Sequence, residues 1–129
     1  MSTSFPKSNR NILLINPWIH DFAAYDFWIK PLGLLYLARF LERYGYTATL
    51  LDCLHKTTAN NEAGIHKTQG NYNTGKFPAE IIEKPALLSH IPRHYRRYGS
   101  HPGTVMKKIA TMKPPVAILI TCTMTYWYR

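Results

Sequence analysis

Apolar residues in this chain come in short bounded blocks, and the spacing inside each block tells strand from helix. Asn11-Ile-Leu-Leu-Ile-Asn16 is apolar without interruption and stops at Asn16-Pro17, the pattern of a strand covered on both faces. Pro17 has no N–H for a ladder, so the chain leaves the sheet there. An aromatic-rich loop follows, with Trp18, Phe22, Tyr25, Phe27 and Trp28, and Pro31 then opens a helix. Leu34, Leu37, Ala38 and Leu41 fall at i, i+3, i+4 and i+7 and share one face, with Arg39, Glu42 and Arg43 largely outside it. Gly45 supplies the left-handed residue that closes the helix. Thr47-Ala-Thr-Leu-Leu-Asp52 is a second strand. Strand, helix and strand within about 40 residues make a βαβ unit with parallel strands and a right-handed crossover.

The pattern weakens between Cys53 and about His101. Asn60 to Lys76 is rich in Asn, Gly and Thr and reads as a long loop, a feature that in compact domains is functional or disordered. Pro78 to Leu88 has room for a short helix around Glu80–Glu83, and Tyr95-Arg-Arg-Tyr98 is basic and aromatic. Regularity returns at Ser100-His101-Pro102, where Ser100 is the expected cap of a second helix. Val105, Ile109 and Met112 form its apolar stripe, Lys107, Lys108 and Lys113 its wet side, and Pro114-Pro115 ends it. Val116-Ala-Ile-Leu-Ile-Thr-Cys122 is a third buried strand, followed by the polar-aromatic run Thr123 to Arg129. The organisation expected is α/β, one domain, with a flexible N-terminus over 1–10 and a body over 11–129 that carries a long loop at about 53–100.

Composition narrows the class. At 129 residues and 46% hydrophobic, the chain can build one core. No apolar run nears the roughly 20 residues of a membrane span, and the polar Met1–Arg10 leads into no signal segment, so a cytoplasmic, membrane-free setting is expected. Two cysteines, Cys53 and Cys122, are expected as reduced thiols and are too few to hold an iron–sulfur cluster. The net charge of +9 is unevenly spread: all seven acids precede Lys84, and from Lys84 onward there are eight cations and no acid. That run is either a solvated basic face or a footprint for nucleic acid, with Tyr95, Tyr98, Trp127 and Tyr128 as stacking groups along Lys84–Lys113.

Asn11-Ile-Leu-Leu-Ile-Asn-Pro17, Lys30-Pro-Leu-Gly-Leu-Leu-Tyr-Leu-Ala38, Leu41-Glu-Arg-Tyr-Gly-Tyr46 and Leu50-Leu-Asp52 resemble the N-terminal cobalamin (B12)-binding-like domain of radical SAM proteins. Lys76-Phe-Pro, Pro92 to Gly99, Lys113 to Val116 and Met124-Thr-Tyr-Trp-Tyr128 are similar to one subgroup, so the resemblance spans nearly the whole chain. It implies a partial flavodoxin-like (Rossmann-like) doubly wound parallel sheet of strand order 2-1-3. Ligands of such sheets bind beyond the carboxyl ends of the strands, where the strand order switches. The residues placed there are Asn16, Pro17, Gly33, Thr121 and Thr123.

The resemblance also implies what this stretch does not do. Asp52 is followed by Cys53-Leu54-His55 rather than by the family's Asp-x-His-x-x-Gly, so cobalamin would be held without histidine ligation. The Cys-x-x-x-Cys-x-x-Cys motif is absent, which leaves the 4Fe-4S cluster and S-adenosylmethionine to a catalytic barrel that the three-strand chain does not contain. The expected function is a cofactor-binding accessory region of a radical SAM enzyme, without catalysis of its own and truncated relative to the family. Its expected partners are the missing barrel, or other copies through the third-strand edge. The rivals are a small basic nucleic-acid-binding protein and a non-catalytic interaction module. His90 and His94 have a metal-capable spacing that Pro92 interrupts, and Asp52 with His55 reads better as a strand-end cap than as an acid–base pair.

Overall fold

The computed structural model describes residues 9–26, 30–55 and 75–121. In chain order these form β1 (Asn11–Asn16), β2 (Ile19–Asp21), β3 (Tyr25–Asp26), α1 (Leu32–Arg43), β4 (Thr47–Asp52), β5 (Gly75–Lys76), β6 (Ala79–Ile81), a 3-10 turn (Ala86–Leu88), β7 (Arg96–Tyr98), α2 (Pro102–Thr111) and β8 (Ala117–Ile120). Cys122, Thr123 and the aromatic run to Arg129 lie outside the described residues, as does 56–74 of the expected long loop. No helix among the described residues is long and apolar enough to cross a membrane.

Where a single body was expected, the chain divides into two compact units. One comprises 1–17, 31–52 and 111–129; the other comprises 18–30 and 53–110.

The first unit holds the parallel sheet. Its order is β4-β1-β8, with both pairings parallel, which is the expected 2-1-3 arrangement and matches part of a flavodoxin-like fold. β1 is central because its side chains are apolar on both faces: Ile12, Leu13 and Leu14 are all buried. Ile12 and Leu14 pack against Leu34 of α1, with Ala38, Leu41, Ala48, Leu50 and Leu119 around them. Leu14 is completely enclosed. Burying such a side chain stabilises the unit by about 1.5–3 kcal/mol.

Gly45 closes α1 as expected, with φ +78°. Arg10 reinforces that end: its Nη1 donates to the carbonyls of Tyr44 and Gly45 at 3.4 and 3.5 Å, and its guanidinium lies 5.9 Å from the Tyr46 ring centre. β8 departs from expectation. Only Leu119 joins the core, while Ile118 and Ile120 are 54% and 66% exposed. Among the described residues β8 pairs with β1 on one edge, and only its α1-facing side is covered.

The second unit corrects the reading of 53–100 as a loop over the described stretch 75–100. β6, β7 and β2 form an antiparallel sheet in the order β2-β7-β6, and β3 pairs with β5. The helix expected around Glu80–Glu83 is instead strand β6, aligned with β7 so that Ala79 faces Tyr98 and Glu80 faces Arg97. These strands are three residues or fewer, too short for a periodicity to show. Long-range pairing over a core of Ala24, Phe77 and Tyr98 decides their conformation.

Ser100 is not the cap of α2. Its N–H donates to the Cys53 carbonyl at 2.7 Å, its Oγ donates to the His55 carbonyl at 2.9 Å, and its own carbonyl accepts from Trp18 Nε1 at 2.7 Å. The helix start is served by His101, whose Nδ1 accepts from the Gly103 N–H at 3.1 Å. Ser100 is drawn inward because Gly99, at φ +121°, turns the chain against Cys53.

Candidate functional site

The carboxyl ends of the three parallel strands carry one polar residue each. Asn16 ends β1 and Asp52 ends β4, and the two are directly opposite in the ladder. One step past the last β1–β8 pair, Ile15 with Ile120, Asn16 comes level with Thr121. The Thr121 N–H donates to the Ile15 carbonyl at 3.0 Å, so the ladder reaches it. Side chains alternate along a strand, which puts Asp52, Asn16 and Thr121 on the same face as Leu50, Leu14 and Leu119. That is the face covered by α1. The sheet therefore presents apolar rows beneath α1 and closes them with a polar row, Asp52–Asn16–Thr121, at its carboxyl edge.

Within the row, Asn16 Nδ2 donates to Asp52 Oδ1 at 2.8 Å. Asn16 is 5% exposed, and Asp52 and Thr121 are half-buried. This places the row at the point between β1 and β8 where the strand order reverses. Helix α1 begins nearby in the chain, its Pro31 cap position makes no side-chain hydrogen bond, and its first turn holds no acid. A helix start of that kind favours an anionic or hydrogen-bond-accepting group.

Of the expected site residues, Asn16, Pro17 and Thr121 come together at this edge. Thr123 lies outside the described residues. At Gly33 the sheet does not approach the backbone. A Cβ built there meets nothing within 4 Å, and the residue lines a groove on the outer side of α1 with Tyr36, Leu37, Arg39, Phe40 and Arg43. From the sequence Asp52 reads only as a strand-end cap. The overlooked signal was that two six-residue strands each end in a polar residue, which parallel pairing sets side by side.

The basic second half is less open to a polyanion than its composition suggests. Tyr98 is 3% exposed and cannot stack on a base. Tyr95 meets Phe22 edge-on at 5.4 Å and donates through Oη to the His20 carbonyl at 3.2 Å. Arg97 is paired with Glu80, and Lys84 Nζ donates to the Ile91 carbonyl. Trp127 and Tyr128 lie outside the described residues. The pKa of His20 is lowered by burial and then by the positive charge of Arg97.

His90 and His94 flank Pro92 in irregular, exposed chain. Among the described residues no three His, Cys, Asp or Glu side chains converge to hold a metal. Comparison with known proteins adds no further constraint. No family model, curated protein or solved structure matches this chain. The polar row is thus judged by its own chemistry: an amide, a carboxylate and a hydroxyl, suited to a ligand rich in hydroxyl or amide groups.

Proposed function

We propose that this chain is a cofactor-binding accessory region, with its ligand seated at the carboxyl edge of the β4-β1-β8 sheet and no catalysis of its own. The Asp52–Asn16–Thr121 row at the strand-order switch carries the reading. Such a row hydrogen-bonds a neutral, polar periphery, and cobalamin, ringed by amide groups, is the ligand that the sequence resemblance suggests. The fit is partial. The row contains no imidazole, so a corrinoid would be held by hydrogen bonds and by apolar contact with its ring rather than through cobalt.

In the full setting that the resemblance suggests, this region lies in the cytoplasm beside a radical SAM barrel that brings the iron–sulfur cluster and S-adenosylmethionine. Among the described residues β8 pairs on one side only, which supports a partner or a further copy at that edge.

Equilibrium dialysis against hydroxocobalamin, with ATP and a generic single-stranded DNA as competitors for the assignment, tests the proposal. Retention of corrinoid that falls about tenfold in Thr121→Val, the loss of one hydrogen bond to ligand, is the expected result. Salt-sensitive binding of DNA with no retained corrinoid would move the function to the nucleic-acid class.

A further inference from the structure

Helix α1 has two apolar sides. Leu34, Ala38 and Leu41 face the sheet, as the period requires. The outer side should then be polar, yet Tyr36 is 76% exposed, Phe40 54%, Leu37 45% and Tyr44 64%. Among its twelve residues only Arg39, Glu42 and Arg43 are charged. A helix that is apolar around most of its circumference is normally covered on both sides.

The outer side also has a shape. Gly33, Tyr36, Leu37, Phe40 and Arg43 line a shallow groove along the helix, and nothing occupies the space where a Gly33 side chain would stand. Phe40 is braced by Tyr44, ring centres 4.8 Å apart, so the aromatic wall is held in place. A notch at one end and an aromatic ridge two turns later suit a second helix, whose backbone approaches at the glycine and whose apolar side chains straddle the rings.

Charge selects the occupant. The groove is edged by Arg39 and Arg43, and the one acid of α1, Glu42, pairs with Arg39 at 3.3 Å, so the helix face keeps a net positive charge through Arg43. A second copy of this chain would bring the same two arginines and a further net charge of +9. An acidic partner meets no such repulsion. We infer that the outer face of α1 docks an amphipathic helix of another polypeptide, with apolar residues at i, i+3, i+4 and i+7 flanked by Glu or Asp. One helical face buries less than a standard interface, so the complex is weak and reversible. This inference is independent of the cofactor reading, because none of the groove residues belongs to the polar row.

The test uses the full chain and two fluorescent helical peptides of about five turns, identical in their Leu and Phe stripe but flanked by Glu in one and Lys in the other. Anisotropy should show the Glu peptide binding at least about tenfold more tightly, with the preference lost or inverted in Arg43→Glu. Phe40→Ser and Gly33→Leu should each weaken the Glu peptide about tenfold, while Leu87→Ser, at an exposed leucine of the other unit, leaves it unchanged. Far-UV circular dichroism and urea midpoints keep misfolded variants out of the comparison. Equal binding of both peptides, or indifference to Phe40→Ser, overturns the proposal. So does self-association on sedimentation that Phe40→Ser abolishes, which would make the occupant a second copy. Partition onto phosphatidylglycerol vesicles in place of peptide binding also overturns it.

Discussion

Asn16 Nδ2 donates to Asp52 Oδ1 at 2.8 Å, and this bond joins the carboxyl ends of β1 and β4 at the last pair of their ladder. The donor residue is 5% exposed, so water cannot easily replace it. Replacing Asn16 by Ala should cost about 1–2 kcal/mol in urea unfolding, the loss of one partly buried hydrogen bond to a charged acceptor. Asn16→Asp should cost more at pH 7 and recover part of that loss near pH 4, since one proton shared by the two carboxyls restores a hydrogen bond. An Asn16→Asp variant that is least stable in acid would show that the two side chains do not face each other.

Gly99 and Gly33 should respond oppositely to alanine. At Gly99, φ is +121° and a Cβ would lie 2.3 Å from the Cys53 carbonyl oxygen, a backbone atom that cannot step aside. Gly99→Ala should lose at least about 1–3 kcal/mol from backbone strain, with the clash added to it. At Gly33, in an exposed helical turn, a Cβ meets open space. Gly33→Ala should gain about 0.5–1 kcal/mol. Thermal midpoints of the two variants moving in the same direction would contradict this pairing.

His20 makes stability fall in mild acid. Burial and then Arg97 hold its pKa below 6.5, so the unfolded chain binds the proton more tightly than the folded one. The contribution is fully present above the unfolded value and is lost as pH falls below 6.5 through the folded value. The midpoint of urea unfolding should therefore drop between pH 7.5 and pH 5.5, and His20→Gln should reduce that drop. A variant with an unchanged pH profile would assign the effect elsewhere.

Cys53 is a thiol, 1% exposed and not engaged in a disulfide. It should resist a thiol reagent such as dithiobis-nitrobenzoate in the folded protein and react on unfolding without reductant. Cys122 is expected to be a thiol as well, so the unfolded, unreduced chain should titrate at two equivalents. A count of zero would require a bridge between them.

What the residues by themselves determined is the first unit. Asn11–Asn16 and Thr47–Asp52 are readable as strands to the residue, and Leu34, Ala38 and Leu41 as the buried face of α1, while Leu37, which the spacing puts on the same stripe, is 45% exposed. These elements are long enough for their periodicity to show, and the βαβ connection leaves few ways to pair them. Asn16 and Thr121 could be placed at the sheet edge for the same reason. Tertiary structure decided the rest. Ala79–Ile81 is a strand because β7 lies beside it, Ser100 is a tie rather than a cap because Cys53, His55 and Trp18 reach it, and Gly33 faces outward. Asp52 became part of a polar row only when parallel pairing set it beside Asn16. For Ala79–Ile81, Ser100 and Asp52 the deciding partner lies far along the chain or on another element. Local spacing carries no information about a hydrogen bond or a steric approach made across such a distance.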